Sequence, residues 1–201
     1  MDIYAIVVYA LFCTAFTLTI ISFARIAGLF TINTTLKAGL AIFIFIICLI
    51  HFGKYSIARL LYSLFDIPSF LLALVCILSI IRSFVNQIGI IISYKGMIFL
   101  FFAWILFACN TFGIFEWSYG STNYKILIIG IFIAVGYCTD RVCGILMLCV
   151  FLLWMIFSSS IDIYHAMFDV LVCGLCVCIQ SMPMSWENFH VALLKPHIPR
   201  H

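Results

Sequence analysis

The stretch Tyr4–Ala24, YAIVVYALFCTAFTLTIISFA, decides the fold. None of its side chains is Asp, Glu, Lys, Arg or His. Wound as an α-helix at 1.5 Å per residue it is about 30 Å long, the thickness of a bilayer's hydrocarbon core. Six similar stretches follow: Leu36–Gly53, Ile57–Ile81, Gly96–Phe115, Tyr124–Thr139, Val142–Phe157 and Ser160–Met182. Each is apolar all round rather than alternating, so transmembrane strands are excluded.

Composition agrees. Of 201 residues, 67% are hydrophobic and 8% charged, and the mean hydropathy is +1.30. A soluble domain carries about 25% charged residues to cover its surface. A soluble globular domain, a disordered chain and a nucleic-acid-binding module are therefore excluded. The expected class is all-α: a polytopic membrane bundle of six or seven transmembrane helices, seven being preferred. Residues 1–184 form one transmembrane domain, and residues 185–201 a short polar tail.

Polar residues punctuate the apolar runs. Arg25, Lys37, Lys54, Lys125, Asn123, Asp140-Arg141 and Ser158-Ser159-Ser160 mark the breaks. The run Phe84–Tyr94 holds Asn86, Gln87 and Gly89 and is expected along the interface. Only Asp140-Arg141 separates the fifth and sixth stretches, which form two spans or one re-entrant hairpin. The chain starts Met1-Asp2 without the positive charge a secretory signal wants, so the first helix is expected to be permanent.

Orientation follows from Lys and Arg. Seven spans place Lys54, Arg59 and Lys125 on one side, and Arg25, Lys37, Arg82, Lys95, Arg141, Lys195 and Arg200 on the other. The second side is then cytoplasmic, with the N-terminus outside and the tail inside. The membrane is bacterial inner or organellar. The net charge of +3 comes from scattered residues, and no basic run points to nucleic acid. The expected partners are the lipid bilayer and other membrane subunits or a second copy. Gly130, Ala134 and Gly174 are read as sites of close helix contact.

Ionisable groups inside hydrocarbon are costly, by about 3 kcal/mol on insertion scales, and so mark candidate sites. Asp66 and Asp169 each lie about 13 Å into a stretch that starts on the outer side. Arg59 precedes Asp66 by seven residues, about two helical turns. Asp162, His165 and Asp169 form one stripe at i, i+3, i+7, although Ser159 and Asp162 also fit a capping box. Asp66, Arg59, His165, Asp169, His51 and Glu116 form a candidate polar cluster, with Lys54 beside it. Pro68 is expected to kink the third helix. Of the ten cysteines, Cys173, Cys176 and Cys178 invite a metal reading, but Cys178 points away from the other two on a helix. Neither a metal, a cofactor nor a disulfide framework is expected.

Ser158 and the run His165-Ala166-Met167-Phe168-Asp169 resemble the end of the third motif of PAP2-type membrane phosphatases, SRxxxxxHxxxD. There a histidine nucleophile is oriented by an aspartate. The motif's arginine is Ser159 here. Ser118-Tyr119-Gly120-Ser121 has the glycine of the second motif but not its histidine. Lys54 and Arg59 are wrongly spaced for the first motif. The resemblance implies a hydrolase acting on a lipid phosphate. The polar cluster by itself implies a small ion, proton or solute transport component, or an embedded subunit of a larger complex. A purely structural scaffold is the remaining reading.

Overall fold

The computed structural model describes residues 3–26, 33–50, 56–65, 67–85, 92–111, 122–157, 163–168, 171, 172, 174 and 175. These residues are helical or connect helices, and none is in a strand. The elements are α1 (Ile3–Ile26), α2 (Thr34–Leu49), α3 (Ile57–Phe65), α4 (Phe70–Phe84), α5 (Tyr94–Thr111), α6 (Thr122–Thr139), α7 (Arg141–Phe157) and α8 (Ile163–Met167).

Among the described residues, two helices are long and apolar enough to cross a membrane: Ile3–Ser22 within α1, and α6. The apolar helices α2, α4 and α7 have 16, 15 and 17 residues. Among the described residues, the seven full-length spans expected from hydropathy are therefore not all present as helices of spanning length. The third stretch departs most. It was expected as one kinked helix over Ile57–Ile81, and it is broken into α3 and α4. Pro68 has no N–H to give and disfavours helical backbone at the residue before it. Ser69 then starts a new helix. Its backbone is extended (φ −70°, ψ 154°) and its Oγ accepts from Leu72 N at 3.0 Å.

The same N-cap chemistry starts three other helices. Ser56 Oγ accepts from Arg59 N at 3.2 Å, Ser93 Oγ from Gly96 N at 3.3 Å, and Asp140 Oδ1 from Val142 N at 2.8 Å. Hydroxyls inside α1 are satisfied locally instead. Thr14, Thr17 and Thr19 each donate to the carbonyl four residues back, at 2.8 Å. That lets an apolar helix carry threonine without an open donor.

α1 packs against α2, α3 and α4, while α6 and α7 pack on each other. The main core runs through α4 and α7, where Leu72, Val75, Cys76, Met147 and Val150 are wholly buried. Phe107 of α5 anchors an aromatic stack. Its ring lies 4.6 Å from Tyr164, 4.5 Å from Phe168 and 5.1 Å from Phe132. A smaller cluster joins Ala5 and Tyr9 of α1 to Ala58 of α3.

Asp140 alone separates α6 from α7, and the two helices fold back as a hairpin. A Cβ placed on Gly144 would collide with Tyr137 Cα, and one on Gly136 would lie 3.1 Å from Met147 Sδ. These pairings advance on one helix as they retreat on the other, which is antiparallel packing. The small residues at close approach are thus Gly136 and Gly144, with Gly96 against Asp140. The expectation for Gly130, Ala134 and Gly174 is corrected. Among the described residues, a Cβ on Gly130 or Gly174 would meet nothing within 4 Å, and Ala134 is exposed. Hydropathy does not distinguish a small residue on an outward face from one at a helix crossing.

Candidate functional site

The polar cluster read from the sequence is only partly covered. His51, Lys54, Asp66, Glu116 and Asp169 lie outside the described residues, as do Asp162 and the capping box at Ser159. For His165, which carries the phosphatase resemblance, the backbone belongs to α8. Arg59 is described in full. It sits in the first turn of α3, half-buried, and its Nε is enclosed with no hydrogen-bond partner among the described residues.

At the start of α6, Lys125 holds its ammonium 5.6 Å above the ring of Tyr164 in α8, a cation–π contact. The starts of α6 and α8 therefore lie beside each other.

Two further polar groupings were not singled out in the sequence. The first ties α1, α2 and α4. Lys37 is 2% exposed and donates from Nζ to the Ser83 carbonyl at 3.2 Å, while Ser83 Oγ and Ser22 Oγ are 2.9 Å apart. Ser22 and Ser83 are buried as well. Ser83 lies in the last turn of α4, where carbonyls lack intrahelical partners and the helix dipole favours a cation. The reading of Lys37 as punctuation between spans is thereby corrected: it is inside α2 and buried. Nothing local could have signalled this, because Ser83 is 46 residues away.

The second grouping is at Asp140. One carboxylate oxygen caps α7 at Val142 N, with a longer approach from Cys143 N at 3.5 Å. The other accepts from the backbone N of Ser93, at the start of α5. Partial burial raises the carboxyl's pKa, but the hydrogen bonds from Ser93, Val142 and Cys143 outweigh it and leave the pKa below the usual value. A local signal existed here, since Asp directly before an apolar helix is a favoured N-cap.

Among the described residues no three His, Cys, Asp or Glu side chains gather as a metal site. An open groove of about 590 Å³ on α2, lined by Asn33, Thr35, Leu36, Gly39, Leu40 and Phe43, has no titratable group in that lining. No protein-family model, curated protein or solved structure matches the chain.

Proposed function

We propose that the chain is a multi-pass integral membrane protein, most simply with seven crossings. In this reading it serves as a small ion, proton or solute transport component, alone or as the embedded subunit of a larger complex. Its outer surface supports the membrane part. Large apolar side chains such as Phe43, Leu64, Phe102, Leu127 and Ile156 are more than half exposed, which water would not tolerate in such density.

The observation that carries transport is the interruption between Phe65 and Phe70. Broken helices free backbone groups, and membrane proteins keep such breaks where backbone faces a cavity or a substrate path. Here the break stands beside an ionisable residue, Asp66, and one helical segment from Arg59. Asp66, His165 and Asp169 are proposed to face the bundle interior, with His51 and Glu116 at its outer rim. The short helices α2, α4 and α7 are crossings completed by neighbouring residues or a thinned bilayer. The tail after Met182 is placed on the cytoplasmic side.

The test is flux in sealed vesicles containing the full chain, paired with purification in mild detergent. Asp66→Asn and Asp169→Asn are expected to abolish flux while leaving the protein inserted. A chain with stable co-purifying subunits and no flux alone would act as part of a complex. Flux unchanged in both variants would remove transport through these acids.

A further inference from the structure

α3 is a nine-residue helix with three distinct faces. Ala58, with Leu61 and Tyr62 beside it, packs on Ala5 and Tyr9 and fixes the helix to α1. Ile57, Leu60 and Leu64, spaced i, i+3, i+7, form an exposed apolar stripe, and Leu64 is 67% exposed. Arg59 and Ser63 stand between these faces. The Ser63 hydroxyl is satisfied by the Leu60 carbonyl at 2.8 Å. The Arg59 guanidinium forms no ion pair or hydrogen bond among the described residues, and its Nε is closed off by the fold.

An arginine half-enclosed by protein, with no anion among the described residues, is unfavourable until one is supplied. The guanidinium carries five donors in a planar fork that matches phosphate oxygens, and it is always charged. Beside it runs an apolar stripe that no described residue covers. A cation bordering an apolar stripe complements one kind of molecule, an anionic phosphate carrying hydrocarbon chains. We propose that α3 lies at the membrane interface and binds a glycerophospholipid, with the phosphodiester on Arg59 and an acyl chain along Ile57, Leu60 and Leu64. The site rests on the membrane reading above but not on transport.

The test uses the full chain, stripped of lipid in mild detergent and titrated with phosphatidylglycerol while bound lipid is counted by native mass spectrometry. Arg59→Gln should weaken binding roughly tenfold, the loss of a charge-assisted hydrogen-bonding pair. Arg59→Lys should recover part of it. Leu64→Ser should weaken binding without touching the charge, and Arg82→Gln, on a different helix, should leave it unchanged. Diacylglycerol, which lacks phosphate, should bind no better to the wild type than to Arg59→Gln.

Wild-type affinity in Arg59→Gln overturns the proposal. So does displacement of the lipid by millimolar inorganic phosphate, which would make this a free-anion site, or equal binding of diacylglycerol. Resistance to alkaline extraction from membranes, measured on the same proteins, separates the two readings. A chain that extracts fails the membrane reading itself, whereas an inserted chain indifferent to Arg59→Gln fails only this one.

Discussion

Among the described residues, α1 and α6 hold the stretches both long and apolar enough to cross a membrane, and they are packed in opposite ways. In α1, 44% of the apolar window is buried, against 11% in α6. α1 is wrapped by α2, α3 and α4, and it buries small or hydroxylic residues (Ala5, Ala10, Thr14, Ala15 and Ser22) together with Val8, Tyr9 and Leu18. α6 offers Ile128, Ile129 and Gly136, and leaves Leu127, Gly130, Ile131, Ala134, Val135 and Tyr137 exposed. Both are apolar on every side, so hydrophobicity does not decide which one is enclosed. In the membrane proposed above, a medium as apolar as the side chains, close fit decides, and small residues at a crossing allow it.

The sharpest challenge to this contrast is at Gly144. A side chain there would meet the backbone of Tyr137, which cannot rotate away. Gly144→Val is expected to lower stability by about 3 kcal/mol or more. Thermal unfolding in detergent reads the effect. A stable Gly144→Val would mean that the α6–α7 hairpin does not close as described.

The next test compares alanines. Ala15 of α1 is wholly buried and Ala134 of α6 is exposed. Ala15→Leu should cost about 2 kcal/mol through overpacking, and Ala134→Leu almost nothing. Equal losses would show that α6 has a partner on its open face.

The polar tie at the end of α1 gives a smaller effect. Lys37→Met removes the ammonium from the Ser83 carbonyl and is expected to cost about 1–2 kcal/mol. Ser22→Ala, which removes one neutral hydrogen bond, should cost about 1 kcal/mol or less. Chemical denaturation of the two variants in parallel checks the order. A more stable Lys37→Met would mean that desolvating the ammonium outweighs its hydrogen bond.

At the α6 turn the expected effect depends on pH. The Asp140 carboxyl titrates below its usual value in the folded protein, so its contribution is present above the unfolded value of 3.8. It is lost as pH falls through the lowered folded value. Asp140→Ala should cost about 1 kcal/mol near neutral pH, as lost caps do, and should flatten the acid limb of the stability curve. An unchanged acid limb would show that the Ser93 and Val142 bonds contribute nothing. The smallest effect belongs to Gly130→Ala. It enters open space and removes a helix-weakening glycine, so its change should stay within about 0.5 kcal/mol.

Much of the helical layout was legible in the sequence. The ends of α1, α6 and α7 fall within about two residues of where hydropathy put them, the usual uncertainty of helix ends. The disturbance at Pro68 was legible too, since proline's missing donor is a local property. Its severity was not, because whether a proline kinks a helix or breaks it depends on what can cap the next turn. Here Ser69 does so. Of the candidate site, Arg59 was found from its place in an apolar stretch. That its guanidinium lacks an anion among the described residues depends on what other helices bring to it.

The sequence by itself determined the helical class, the scarcity of charge and the places where apolar runs begin and end. These follow from residue type and local spacing, through the cost of unsatisfied backbone and charge in an apolar medium. Only the tertiary structure decided that Lys37 is buried against Ser83, that Gly144 rather than Gly130 meets a neighbour, and that Asp140 ties α5 to the α6–α7 turn. Each of these joins residues distant in the chain or separates chemically identical ones, and a helix apolar on every side does not specify which faces meet. Packing of small residues and pairing of single polar groups across helices specify it, and those exist only once the helices are assembled.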